Sequence, residues 1–283
     1  MSKQNQIRKA EAFAAMHTGG EILVLPNASD VGSAKVVVEA GFPAVATSSA
    51  GVAWLLGYAD GQKISRTDML FMVGRITAAL EVPVTADMEA GYGTAPEAVA
   101  QTVRETIEAG AVGLNIEDGA FEGTGPLIDI GLATERIAAG RAAAEAAGVP
   151  AVINARTDVL LKGGKGPAAI DEAIKRANAY RAAGADCLFV PFARDAETIA
   201  TLAEGIDGPL NILAGAVSPP VPELARLGVA RVSIGGLMSL AFATLARTIA
   251  TELDQTGTYG FAKGLILHPE MNALLEKCLF SKG

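Results

Sequence analysis

Two acids, Asp87 and Glu89, stand one residue apart at the end of a strand-like apolar run, VPVTADM, and Gly-Tyr-Gly follows them. A carboxylate at the end of a buried strand is costly unless something neutralises it. Glu117 ends the next such run, VGLNIED, and brings a third acid to the same end of the fold. Alternate residues of a strand share a face, so Asp87 and Glu89 are predicted to point together if the strand extends that far. Three gathered acids repel one another, and a hard divalent cation with oxygen ligands, Mg2+ or Mn2+, relieves the repulsion. Helix capping or pairing with Arg156 is the structural alternative, and it suits a lone acid better than three. Arg156, in NARTD, offers a planar guanidinium to a substrate carboxylate or a developing enolate oxygen. It can equally pair with Glu117 or Asp158, and the two uses are compatible. Ser48 and Ser49 bring hydroxyls and backbone N–H groups suited to an anionic substrate, or to turn chemistry alone.

These side chains need elements to hold them. Short apolar runs rich in Val and Ile alternate with Ala-rich helical stretches, as βα units around a parallel sheet require. The strands read EILVLPN, PAVATSS, VPVTADM, VGLNIED, PAVINART, DCLFVPF, PLNILAG and ARVSIG, eight in all. The helices between and after them read SDVGSAKVVVEAG, SRTDMLFMVGRITAAL, APEAVAQTVRETIEAG, TERIAAGRAAAEAAG, AAIDEAIKRANAYRAAG, DAETIATLAEGI, VPELARLG and GLMSLAFATLARTIATEL. Gly41, Gly110 and Gly184 close three of them as C-caps. No Pro/Gly/Ser-rich linker divides the chain, so one closed (β/α)8 TIM barrel over 1–283 is predicted, with an open doubly wound sheet as the alternative. Chemistry in such a barrel sits at the C-terminal strand ends. The polar residues predicted there are Asn27, Ser48, Ser49, Asp87, Glu89, Asn115, Glu117, Asp118, Arg156, Asp158, Asn211 and Ser233, while the opposite strand ends are nearly devoid of functional groups.

Composition excludes several function classes. The 283 residues are 50% hydrophobic and 5% aromatic, with 32 glycines, which suits closely packed helices on a sheet. A net charge of -8 without a basic stripe argues against nucleic acid or an anionic membrane as partner. The opening MSKQNQIRKAEAF lacks the apolar core of a signal peptide and no apolar run has the length of a membrane span, so a cytoplasmic location is expected. Cys187 and Cys278 stand far apart, and only His17 and His268 are present, which disfavours a disulfide framework or a Cys/His metal site. Gly235-Gly236 before the last helix is similar to a barrel phosphate site, which would suit a sugar-phosphate aldolase or isomerase. A Schiff-base lysine is missing, however, since Lys162 and Lys165 lie in a KGGKG loop predicted to face solvent.

Taken in order at successive strand ends, TSSAGVAWLLGYAD, ADMEAGYG, NIEDG, NARTD and NILAG resemble the isocitrate lyase/phosphoenolpyruvate mutase superfamily, from about Ile22 to the helix after Ser233. The resemblance implies that Asp87 binds Mg2+ directly, that Glu89 stands where a second Asp is usual, and that Glu117 holds water on the metal. It implies that Arg156 binds the substrate carboxylate or enolate, that Ser48, Ser49 and Ala50 grip a carboxylate, that Asp60 closes the loop after the second strand, and that Asn211 and Asn115 add polar groups to the pocket. It further implies a homo-oligomer, dimer or tetramer, in which the last helix is exchanged between subunits, with about 236–283 as the exchanged segment.

The departures from that pattern matter too. The loop after Glu117 reads GAFEGTGPLIDIG, without the Lys-Lys/Arg-Cys-Gly-His of isocitrate and methylisocitrate lyases or the Asn-Ser-type segment of phosphonate mutases. Ala46, Thr47, Ser48, Ser49 and Ala50 replace the lyase Tyr-x-Ser-Gly-Gly. Gly123, Gly125 and Gly131 predict a lid, and Glu122 or Tyr58 is a positional candidate for proton donor. The expected activity is Mg2+-dependent, on a small 2-oxo or 2-hydroxy carboxylate, through an enolate-type intermediate. Carbon-carbon cleavage by lyase, decarboxylase or hydrolase action is favoured over carbon-phosphorus chemistry, and a metabolite-binding barrel without turnover is the non-enzymatic alternative.

Overall fold

The computed structural model describes residues 2–120 and 126–276. The first half of the chain runs α1 (Lys3–Met16), β1 (Leu23–Leu25), β2 (Asn27–Ala28), α2 (Val31–Glu39), β3 (Val45–Thr47), α3 (Ser49–Leu55), α4 (Arg66–Ala79), β4 (Val84–Asp87), α5 (Pro96–Glu108) and β5 (Gly113–Glu117). There follow α6 (Ile130–Ala147), β6 (Val152–Arg156), α7 (Pro167–Ala182), β7 (Cys187–Phe189), α8 (Ala196–Gly205), β8 (Leu210–Leu213), α9 (Val221–Arg226) and β9 (Val229–Ser233). A long α10 (Leu237–Thr256) and a short α11 (His268–Glu276) end the described chain.

Every strand pair is parallel, in the order β1-β9-β8-β7-β6-β5-β4-β3-β2. β1 pairs with β9 and β2 with β3, and only Pro26 separates β1 from β2. Proline has no N–H to give to a ladder, so it divides one strand into two halves that serve opposite neighbours. The eight predicted βα units therefore wrap into a nearly closed TIM-type barrel. Strands such as Val45–Thr47 and Val84–Asp87 are buried at every position, as parallel strands covered on both faces must be. The expected caps are present: Gly41, Gly110 and Gly184 take φ of 94°, 93° and 105°, where a side chain would be strained.

Asn27 stitches the ring closed. Its Oδ1 accepts the N–H groups of Ile234 (2.8 Å) and Gly235 (2.9 Å), and its Nδ2 donates to the Thr47 carbonyl (2.8 Å). Losing these bonds strands partly buried backbone groups, so Asn27→Ala is expected to lower stability by about 2 kcal/mol, read as a shifted urea midpoint with unchanged slope. An unchanged midpoint would show that the ring closes without it.

Helix α1, which the strand-helix alternation did not predict, forms the floor of the barrel. Gln6 Nε2 donates to the carbonyls of Ile107 (2.7 Å) and Ala111 (3.0 Å), and Lys9 Nζ to that of Leu80 (2.9 Å), all on segments leading into β4 and β5. Phe13 is fully buried and lies against Gly113, where an added Cβ would come 3.0 Å from the ring. The buried Arg231 guanidinium of β9 sits 5.9 Å from the same ring.

At the other end of the chain, α10 has no buried residue, and Leu240, Phe242, Leu245 and Leu253 are exposed. It touches the barrel near its start, where Ser239 Oγ and Ser29 Oγ are 2.6 Å apart, and α11 returns to α2 through Lys35 Nζ and the Leu275 carbonyl (3.4 Å). Helix α6 begins four residues earlier than TERIAAGRAAAEAAG predicts, because Asp129 Oδ1 accepts the N–H groups of Gly131 and Leu132. Gly131 is therefore part of a capped first turn rather than a lid. Cys278 lies outside the described residues, and none of the described helices is long and apolar enough to cross a membrane.

Candidate active site at the barrel mouth

Register alone sets up the site. In parallel strands residues in register share a face, and β4, β5 and β6 place Asp87 beside Asn115, Asn115 beside Asn154, and Glu117 beside Arg156. The first three form a hydrogen-bonded row, with Asn154 Nδ2 donating to Asn115 Oδ1 (2.8 Å) and Asn115 Nδ2 to Asp87 Oδ1 (3.4 Å). Asp87 Oδ2 accepts from both the N–H (3.2 Å) and the hydroxyl (2.8 Å) of Ser49, and the Asp87 N–H donates to Thr47 Oγ1 (2.9 Å). Ser49 thus orients an acid. Ser48 instead caps α3 by accepting the Gly51 N–H (3.2 Å), the turn role that sequence left open. Asn211 is buried across the barrel and shares contacts of 3.4 Å and 3.5 Å with Ser233 Oγ.

Two residues nearer the mouth, Arg156 Nη1 lies 2.7 Å from Glu117, while Nε and Nη2 reach the two Asp158 oxygens at 2.6 Å and 3.2 Å. Burial works against the guanidinium charge, but Glu117, Asp158 and Asp87 more than offset it and hold the group above its usual pKa. Burial also pushes Glu117 upward, against the pull of Arg156. Asp118 turns away from the mouth: it accepts the Asp158 N–H (2.7 Å), the Tyr180 hydroxyl (2.6 Å) and Arg176 Nη1 (3.1 Å), so it ties β5 to α7.

Glu89 departs from expectation. The strand stops at Asp87, and Glu89 takes φ of 50° in the left-handed region, so strand alternation does not set its direction. It is nonetheless buried, and its carbonyl accepts the Glu117 N–H (3.0 Å). Its Oε1 has no hydrogen-bond partner among the described residues. Burial first, then the charges of Asp87 and Asp60, push its carboxyl up to about 8. Asp60, itself exposed, therefore belongs to the same electrostatic cluster. Arg136 of α6 went unnoticed in the sequence. It is 1% exposed and bonds backbone carbonyls on both sides of the cluster, those of Ala90, Gly93 (3.3 Å) and Glu117 (3.5 Å). Its only sequence signal is a basic residue on the inner face of an Ala-rich helix.

A profile of the phosphoenolpyruvate phosphomutase family matches residues 13–254. The chain belongs to this family. It is similar to a candidate lyase/mutase of Burkholderia cenocepacia J2315 of known crystal structure, 39% identical with a TM-score of 0.91, covering 97% of this chain and 98% of that one. An uncharacterized protein of Mycobacterium tuberculosis is 35% identical over 88% of this chain and 93% of its own. The 2,3-dimethylmalate lyase of Eubacterium barkeri is 32% identical over 90% of each. Members of the phosphomutase family and its isocitrate lyase relatives act as lyases, decarboxylases, hydrolases or mutases on small carboxylates.

The mouth has a donor set that fits a hard divalent cation: all oxygen, net acidic, with a buried carboxylate oxygen left unpartnered at Glu89. The described residues contain no ready cage of three or more His, Cys, Asp or Glu ligands. The looser grouping suits Mg2+, which keeps much of its water. Other expectations fare variously. Ile234 and Gly235 already give their N–H groups to Asn27, which argues against the phosphate cradle at Gly235-Gly236. Lys162 and Lys165 are exposed as predicted, and Tyr58 is 45% exposed. Glu122, Gly123 and Gly125 lie outside the described residues.

The metal-free cluster has a pH signature. Between the ordinary Glu value of 4.5 and about 8, folded Glu89 keeps a proton that the unfolded chain has lost. The stability linked to it is full below the lower value and lost as pH rises through the upper one. In EDTA, Glu89→Gln is therefore expected to melt above the parent at about pH 8 but not at about pH 5, and Mg2+ should raise the parent selectively at the higher pH. Parallel melting curves for the two proteins across this range would remove Glu89 from the acid cluster.

Proposed function

We propose that the chain is a Mg2+-dependent enzyme of the cytoplasm that acts on a small 2-oxo or 2-hydroxy carboxylate through an enolate-type intermediate, with carbon-carbon cleavage the favoured outcome. The observation that carries this is the facing of Asp87, Glu89 and Glu117 by Arg156 at one barrel mouth. A bound Mg2+ (or Mn2+) would supply electrophilic polarisation of the 2-oxo group and offset the acids. Asp87 would hold it, oriented by Ser49 and Asn115, with Glu89 and Glu117 completing the acidic wall. Arg156, kept fully charged by its acidic neighbours, would stabilise the oxyanion as the adjacent bond breaks. Ala50 and Asp60 line the cavity that would receive the substrate, Ser48 and Ser49 precede Ala50 in the chain, and Asn211 would add a polar group from the buried interior.

The test is an NMR time course on oxaloacetate, methylisocitrate, isocitrate, dimethylmalate and phosphonopyruvate, with Mg2+ and with EDTA. Metal-dependent loss of a carbon-carbon substrate is the expected result, whereas loss of phosphonopyruvate alone would favour carbon-phosphorus chemistry. The engagement of Arg156 by two acids favours a second reading, a barrel that binds a metabolite without turnover; Mg2+ binding with no change in any broader substrate set would support it.

The chain is further proposed to act as one barrel domain in a dimer or tetramer, with the segment from about 236 exchanged between subunits. Helix α10, in which no residue is fully buried and Phe242, Leu245 and Leu253 are exposed, supports this. Light scattering giving a monomer at micromolar concentration would oppose it.

A further inference from the structure

A cavity of about 610 Å3 opens at the barrel mouth, walled by the segments that follow β3, β6, β7, β8 and β9. Ala50 connects it to the chemistry, because it lines the cavity and directly follows Ser49, whose N–H and hydroxyl both bond Asp87. Most of the remaining wall is apolar, formed by Trp54, Phe192, Leu213, Ile234, Leu237 and Leu240. A small dicarboxylate has almost no apolar surface to bury, so it gains nothing from such a wall. The volume falls among pockets of roughly 300–1,000 Å3 that enclose much larger ligands.

Two local features show how the wall is held. Gly236 lets the Trp54 indole lie directly on the backbone, since a Cβ there would come within 2.8 Å of the ring. Phe192 holds its ring on this wall at φ of 69°, a strained conformation for a bulky residue. The Arg194 guanidinium stacks on that ring at 4.1 Å and has no carboxylate partner among the described residues. Its charge sits at the edge of an apolar compartment, where it favours an acidic ligand.

We infer that this cavity receives an extended aliphatic or aromatic substituent of the 2-oxo or 2-hydroxy acid, so that the substrate is larger and more apolar than oxaloacetate or methylisocitrate. The inference rests on the 2-oxo-acid reading of the mouth, with the carboxylate end at Arg156 and the acids and the substituent among Trp54, Phe192 and Leu240.

Trp54 is the sole tryptophan, so its emission reports on the cavity. The full chain with Mg2+ would be titrated with oxalate, pyruvate, 2-oxohexanoate and phenylpyruvate, following Trp54 emission and, in parallel, heat. Affinity is expected to rise about fourfold for each methylene buried, and only the two substituted ligands should shift the emission. Phe192→Asn, which suits the left-handed backbone, should lower phenylpyruvate affinity by about tenfold while leaving oxalate within about twofold. Oxalate and pyruvate binding as well as or better than the longer acids, or an unmoved Trp54, would overturn the inference and leave the 2-oxo-acid reading standing. If oxalate failed to bind while phenylpyruvate still moved Trp54, the apolar compartment would be upheld and the 2-oxo-acid reading would fall; failure of all four ligands would overturn both.

Discussion

Asp87→Ala is expected to lower turnover by at least about a hundredfold and to abolish Mn2+ binding, with little change in melting temperature. The catalytic loss follows from its place: of Asp87, Glu89 and Glu117 it is the one with both oxygens oriented by neutral donors, Ser49 and Asn115, so it is the ligand best able to fix a cation where charge develops. The small effect on stability follows from two opposed changes. Removing the carboxylate leaves Ser49 and Asn115 without an acceptor, at about 1 kcal/mol per bond. It also removes a charge that acts against ionised Glu89. Calorimetric Mn2+ titration and thermal melts separate these changes. A variant that still turned over at near-parent rate would sink the assignment of this mouth as the site.

Arg156→Ala is expected to lose as much activity but to weaken the fold as well, by about 3–5 kcal/mol, the cost of leaving buried carboxylates without their counter-charge. Glu117 and Asp158 both depend on it, through contacts of 2.7 Å and 2.6 Å. The pH dependence identifies the cause. Without Arg156 the two carboxyls titrate higher still, and once protonated they need no cation, so the stability deficit should shrink as pH falls. Arg156→Lys keeps a charge but not the planar fork that reaches Asp158 with two nitrogens, so it should recover part of the stability and little of the activity. Urea midpoints at two pH values make the measurement, and a deficit independent of pH would mean that lost packing rather than charge is responsible.

Much of this architecture is legible in the sequence because it is periodic. Eight apolar runs alternating with Ala-rich helices, and a polar residue at every C-terminal strand end except that of DCLFVPF, are patterns of nearest neighbours along the chain. What escaped depends on partners far away. Asn27 reads as one more polar strand end, but its role is to bond N–H groups 207 and 208 residues later. Asp118 looks like a mouth acid, yet Tyr180 and Arg176 draw it toward a helix. Glu89 looks like the next member of a strand, whereas Arg136 grips the Ala90 and Gly93 carbonyls where the chain bends. Helix α1 carried a signal that the βα count passed over: Ser2 as cap, then Ile7, Ala10 and Phe13 at helical spacing.

That helix has a kinetic consequence. With the barrel interior filled by inward side chains such as Asn154 and Asn211 and its base covered by Phe13, the site is open only at the mouth. Whatever enters above the acids must leave by the way it came. If a bound molecule is cut in two, the fragment nearer the rim departs first and the fragment seated against Asp87 and Arg156 waits behind it. Release in a fixed sequence would then follow from the single opening that the packed interior leaves.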